Sequence, residues 1–232
     1  MRVLVSGFEP FGGDVANASA DAVLGLAAAW DDPAVELHTV ILPVTFDGAP
    51  ALLAETIAAV APDVVLCVGE AGGRAAVTPE RWAVNERQAR IPDNAGQQPS
   101  GPIDDGPERL GSRVDVDAIV AAMRAAGVVA EPSEDAGRFV CNAIFRAALT
   151  SFDGPAGFIH VPALREHGEP LVGAETDPAV PEPVASALRP AWLASSQGQA
   201  QEPERGARRV EGRPPRPNLV AALKAAVEAV RM

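Results

Sequence analysis

Cysteine is scarce in this chain, with only Cys67 and Cys141 among 232 residues. Two thiols do not make a disulfide framework. Basic residues are also in short supply: 19 Lys and Arg stand against 31 Asp and Glu, for a net charge of −12. A balance of that sign gives no electrostatic basis for a nucleic-acid groove or an anionic membrane surface, so neither is an expected partner. Long apolar runs are missing too, since no stretch approaches the ~20 apolar residues of a transmembrane helix. The N-terminus opens directly into the strand-like Val3-Leu4-Val5, without a basic region leading to a small-residue cleavage site, and the expectation is a cytoplasmic protein. No internal repeat is evident.

Apolar periodicity organises what remains. Residues 2–6 read as a buried strand and about 19–29 as a helix capped by Asn17 or Ser19. Val35–Leu42 reads as a strand ended by Pro43, and a helix introduced by Gly48-Ala49-Pro50 carries Leu52, Leu53, Ile57 and Val60 on one face. Val64–Val68 follows as a central strand. This alternation predicts an α/β fold, a three-layer α/β/α sandwich around a mostly parallel twisted sheet. Further on, Trp82–Asn85 reads as a short antiparallel element, 90–107 as an extended loop, and 116–126 as a helix stopped at Gly127. Residues 128–130 and 157–161 read as strands, with a helix at 141–150 between them.

Texture changes at about 163–217, where a large share of the chain's 22 prolines falls between Pro170 and Pro217 and no apolar period survives. That segment is expected to be an exposed Pro-rich loop, inserted before a final helix at about 218–231 capped by Asn218. The whole chain, 1–232, is expected to form one domain.

The residues that carry chemistry sit at element ends. Cys141 lies where the glycine-bearing turn Ala136-Gly137-Arg138 gives way to a helical pattern, and a thiol there feels the positive helix end, which favours the thiolate. His160 ends the apolar run Gly157-Phe158-Ile159, at the C-terminal end of a strand, where α/β sheets build their sites. Together they suggest a nucleophilic pair, and a carboxylate in Thr78-Pro79-Glu80-Arg81 is placed to hold the imidazole. Plainer readings exist: free cysteine is often a core residue, as Cys67 in Val64-Val65-Leu66-Cys67-Val68 is expected to be. His38 and His167 keep a plain reading as well. The glycine-rich 69–74 follows a strand but lacks both a dinucleotide fingerprint and a P-loop ending, so nucleotide binding is weakly supported.

Six blocks, in order and at compatible spacing, carry a family resemblance: Ser6-Gly7-Phe8-Glu9-Pro10-Phe11-Gly12-Gly13, Gly69-Glu70-Ala71-Gly72-Gly73-Arg74, Thr78-Pro79-Glu80-Arg81, Arg90-Ile91-Pro92-Asp93-Asn94, Phe139-Val140-Cys141-Asn142 and Phe158-Ile159-His160-Val161-Pro162. Over roughly 1–162 the chain resembles the type I pyroglutamyl peptidases, or pyrrolidone-carboxylate peptidases. The resemblance implies a cysteine omega-peptidase that removes an N-terminal pyroglutamyl residue. It implies a triad in which Cys141 is the nucleophile, His160 the general base and Glu80 its orienting carboxylate. It also implies an apolar slot for the lactam ring from Phe8, Phe11, Ile91, Phe139 and Val140, with Val44 adjoining and Glu70 on the substrate side. The oxyanion is expected at the Cys141 N–H, with Arg90 as helper. No cofactor or metal is implied. The expected partners are N-terminally pyroglutamylated peptides and, by resemblance, a homo-tetramer of the chain itself.

One departure concerns Glu70, which stands where the family usually has Gln: the change is mild if only its backbone touches the lactam, whereas a side chain near Cys141 would put an anion beside the thiolate and raise the thiol pKa. Two other function classes fit the same patterns. One is a non-catalytic small-amide or nucleoside-binding α/β protein, and the other an assembly protein that uses 163–217.

Overall fold

In a computed structural model, residues 1–163 and 218–231 are described. The N-terminal half alternates β1 (Arg2–Phe8), α1 (Ala18–Ala29), β2 (Glu36–Leu42), α2 (Gly48–Val60) and β3 (Val64–Ala71). Short strands follow: β4 (Thr78–Pro79), β5 (Trp82–Val84), β6 (Arg87–Gln88), β7 (Ser100–Gly101) and β8 (Arg109–Gly111). Then come α3 (Val116–Ala125), α4 (Val140–Ser151), β9 (Ala156–Pro162) and α5 (Leu219–Ala229).

The main sheet runs β2-β1-β3-β9-β4, parallel throughout except at β4, which pairs antiparallel with β9. Because side chains alternate along a strand, each strand feeds two cores. Val3 and Val5 of β1, Leu66 and Val68 of β3, and Ile159 and Val161 of β9 pack with α1, α3 and α5. Leu4, Val65, Cys67 and Phe158 point the other way, onto α2 and α4. Helices on both faces complete the α/β/α layers, and each fully buried Val or Leu contributes about 1.5–3 kcal/mol. The connection from β1 goes to one side and the next crosses back to the other, so the C-terminal ends of β1 and β3 form the switch point where such sheets bind ligands.

Caps explain several boundaries. Asn17 accepts from Ser19 N, fixing the start of α1, and Asn218 does the same for α5 through Ala221 N. Gly127 takes a φ of 79°, ending α3 where the sequence places its stop.

Two expectations need correction. Residues 128–130 form no strand; Ala130 makes one isolated bridge to Val77, and the next pairing skips to Ser133 with Glu80, beyond Pro132. The stretch 90–107 is not merely extended. Its β7 pairs with β6, Asn85 binds the backbone of Ile103, Asp104 and Gly106, and buried Arg146 holds the Asp104 carboxylate through two bonds of 2.7 Å. Apart from Ala163, the segment expected as a Pro-rich loop lies outside the described residues.

Candidate active site

Strand register brings the centre together. Gly69 of β3 is the registered neighbour of His160 on β9, and alternation from Cys67 and Phe158 turns both positions toward α4. The N-terminal turn of α4 lies over them. A Cβ on Gly69 would meet the Cys141 Sγ at 2.8 Å and the Phe158 ring at the same distance, so only glycine lets the thiol come down beside His160. Gly137, at φ 78°, makes the turn that leads into α4.

On the other side of β9, Thr78 registers with His160, and the Glu80 N–H continues the ladder to the Phe158 carbonyl at 2.9 Å. Thr78 and Glu80 therefore share a face. His160 Nδ1 lies 2.7 Å from Glu80 Oε1, with Glu80 fully buried and His160 nearly so. That contact orients the ring and leaves Nε2 as the nitrogen for proton exchange. The same carboxylate oxygen also accepts from Arg74 Nη1 at 2.5 Å.

The electrostatics of Cys141 differ from the sequence expectation. Burial pushes its thiol up to about 12, Arg74 opposes this, and Glu80 and then Glu70 add to it. Cys141 is half-buried, and desolvation there outweighs the helix end. Phe139 caps α4 without a side-chain bond, so the first amides of the helix lack intrahelical acceptors and face the sulfur's surroundings as potential oxyanion donors.

The slot residues are partly gathered. Phe139 stacks against Phe11 with centroids 5.2 Å apart and meets Phe46 edge-on at 5.1 Å. Phe8, Val44 and Val140 are buried in the core on the α2/α4 face, and Ile91 is half-buried. Glu70 Oε2 accepts from Ala18 N at 2.6 Å, so one oxygen caps α1 at the point where the sequence suggested a substrate contact. Arg90 is exposed; its carbonyl accepts from Gln98 Nε2, and among the described residues its guanidinium makes no hydrogen bond or ion pair.

Sequence reasoning gave no role to Phe46, Asp93 or Arg74. Phe46 is an apolar residue in a loop, with no periodic signal. Asp93 binds Phe46 N, Ala95 N and Gln97 N, while Asn94 Nδ2 and Val44 N both bind Glu9 Oε1. Three loops that carry slot residues are thereby tied together. Among the described residues, no group of three or more His, Cys, Asp or Glu is placed to hold a metal ion.

These parts define a class: an open-sheet α/β protein whose sheet end gathers a thiol, an imidazole and a buried carboxylate, the residue types of cysteine hydrolases. Residues 1–184 match the family model for pyroglutamyl peptidase. A pyrrolidone-carboxylate peptidase of Streptococcus pyogenes is 41% identical over 173 residues, covering 72% of this chain and 80% of the relative. The crystal structure of pyroglutamyl peptidase I from Bacillus amyloliquefaciens is similar with a TM-score of 0.68 at 38% identity, over 71% of this chain and 81% of that one. Pyrrolidone carboxyl peptidase from the hyperthermophile Pyrococcus furiosus aligns with a TM-score of 0.67 at 34% identity, over 72% and 83%. The chain belongs to the pyroglutamyl peptidase family.

Proposed function

We propose that this chain is a cysteine omega-peptidase that hydrolyses the bond following an N-terminal pyroglutamyl residue of peptides. The observation that carries the reading is the Cys141 sulfur seated on Gly69, beside His160, whose Nδ1 is 2.7 Å from buried Glu80. Family membership supports it independently.

In this reading the thiol loses its proton to His160 Nε2 as sulfur bonds to the carbonyl carbon after the lactam ring. Amides at the start of α4 receive the oxyanion. Glu80 stabilises the imidazolium, which then protonates the leaving amine as the C–N bond breaks. Water next attacks the thioester, giving its proton to His160; the C–S bond breaks, and Cys141 recovers a proton as free pyroglutamate leaves. Phe11, Phe46 and Phe139 suit a flat neutral ring, because such a ligand needs apolar walls and a few placed polar partners and no countercharge for an ammonium.

The proposal includes the finer expectations: action in the cytoplasm, a homo-tetramer, and a single domain in which 163–217 carries none of the chemistry. A fluorogenic pyroglutamyl amide assayed beside alanyl and prolyl analogues tests the activity. Equal cleavage of the free-amine substrates would overturn the assignment. Fractionation and light scattering test compartment and assembly. Replacing roughly 170–214 by a Gly/Ser linker tests the domain reading, and should leave a folded, active protein because loop entropy varies slowly with length.

A further inference from the structure

We propose that Arg74 is a positioning residue of this centre, fixing the Glu80 carboxylate against His160 and tying that carboxylate to the segment that delivers Cys141. The inference rests on the cysteine-peptidase reading. Arg74 Nη1 donates to Glu80 Oε1 at 2.5 Å and also to Thr78 Oγ1. Its Nη2 donates to the Asp135 carbonyl at 2.8 Å. Asp135 belongs to the turn entering α4, where its carboxylate accepts from Gly137 N and from Arg138 Nη1. One guanidinium therefore spans β4, the acid and the approach to the thiol's helix.

Charge explains why an arginine is needed there. Glu80 is fully buried, and a buried carboxylate with no countercharge takes up a proton and ceases to act as an anion. A protonated Glu80 would neither hold the ring through an ionic bond nor stabilise the imidazolium. Among the described residues Glu80 Oε2 has no hydrogen-bond partner, and the bonds from Arg74 and His160 converge on Oε1. An arginine side chain presents a planar set of donors, and Arg74 divides its own between Glu80 and Asp135. The groups acting on the Cys141 thiol are Arg74, which draws its pKa down, and Glu80 and Glu70, which raise it; His160 is the registered neighbour of Gly69, against which the sulfur lies. Arg138, near the helix start, is paired to Glu86 and Asp135. Arg74 is thus the cation that offsets the two nearby carboxylates.

The test compares wild type, Arg74→Gln and Arg74→Lys on a fluorogenic pyroglutamyl amide from about pH 5 to 10, with iodoacetamide alkylation of Cys141 followed by mass spectrometry over the same range. Arg74→Gln is expected to lose about ten- to a hundredfold in kcat with little change in KM, the scale of one charge-assisted hydrogen bond to a buried carboxylate. With the cation gone Glu80 takes up a proton and the imidazolium loses its anionic partner, so the acid limb of activity and of His160-assisted alkylation moves down by about one pH unit. Arg74→Lys is expected to restore the limb, because the charge is kept, while recovering only part of kcat, because the planar fork is lost. A purely structural role would lower the rate or the melting temperature and leave the limb in place. Arg74→Gln with the wild-type limb, or Arg74→Lys shifted as far as Arg74→Gln, overturns the inference. Should Arg74→Gln fail to fold, Arg74→Lys decides alone: a wild-type limb with reduced kcat supports the role, and a shifted limb refutes it. Should wild type release no pyroglutamate, the peptidase reading fails, and the alkylation profiles still decide whether Arg74 acts on the groups that deprotonate Cys141.

Discussion

The sulfur of Cys141 lies against Gly69, so close that a Cβ at that position would approach it to 2.8 Å. Gly69→Ala is therefore expected to displace α4 or turn the thiol away from His160. Overpacking of this kind costs about 1–3 kcal/mol of stability. The activity loss should be far larger than the stability loss. Steady-state kinetics and thermal melts on the same preparation check this, and an active Gly69→Ala enzyme would show that the thiol does not need its present seat.

The nucleophilic set predicts a graded series. Cys141→Ser and His160→Ala should abolish pyroglutamyl release with the fold retained, as circular dichroism would report. Glu80→Gln should lower kcat by about 10²–10⁴-fold, since the imidazolium loses its anionic partner. Wild-type turnover in Cys141→Ser would end the proposed mechanism.

Recognition of a neutral ring predicts that Phe139→Ala lowers kcat/KM by about thirtyfold to a thousandfold, the equivalent of about 2–4 kcal/mol for a lost aromatic wall. The loop tie at Asp93 predicts a different signature. Asp93→Ala frees three backbone amides at Phe46, Ala95 and Gln97, so it should raise KM more than it lowers kcat and destabilise by about 1–3 kcal/mol. Substrate-concentration series on both variants separate the two effects.

The second thiol predicts a pH dependence of stability. Burial pushes Cys67 up from 9.0 to about 12, with a smaller opposing effect from Ser6. A thiol whose folded pKa is raised holds its proton more tightly when folded. Its stabilisation is complete below pH 9.0 and lost as pH rises toward about 12. The urea midpoint of wild type should fall through this alkaline window, and Cys67→Ser, which cannot ionise, should fall less steeply. Identical slopes would remove Cys67 from the account. Pyroglutamyl release at neutral pH should survive Cys67→Ser.

Legibility in the sequence followed interaction range. The first three strands, their helices and the strand carrying His160 were all readable within a residue or three of their bounds, because burial repeats locally with period 2 or 3.6. The pairing of Thr78–Pro79 with β9 was not, since a two-residue strand has no period and its partner lies some eighty residues away. For the same reason 128–130 looked like a strand and is only a bridge at Ala130. Asn85, Asp93 and Arg146 order the loops through side-chain bonds that leave no pattern in composition.

By itself, the sequence determined the layered α/β plan, the helix start beneath Cys141, the strand end at His160 and, through six matching blocks, the family. Local apolar spacing and cap chemistry suffice for the first three. Only the tertiary structure decided that Gly69 seats the sulfur, that Arg74 grips the Glu80 oxygen that meets His160, and that Glu70 turns toward α1. Those outcomes depend on strand register and on desolvation. Both arise only when distant segments pack, and the same desolvation raises the pKa of the Cys141 thiol where its place at a helix start would lower it.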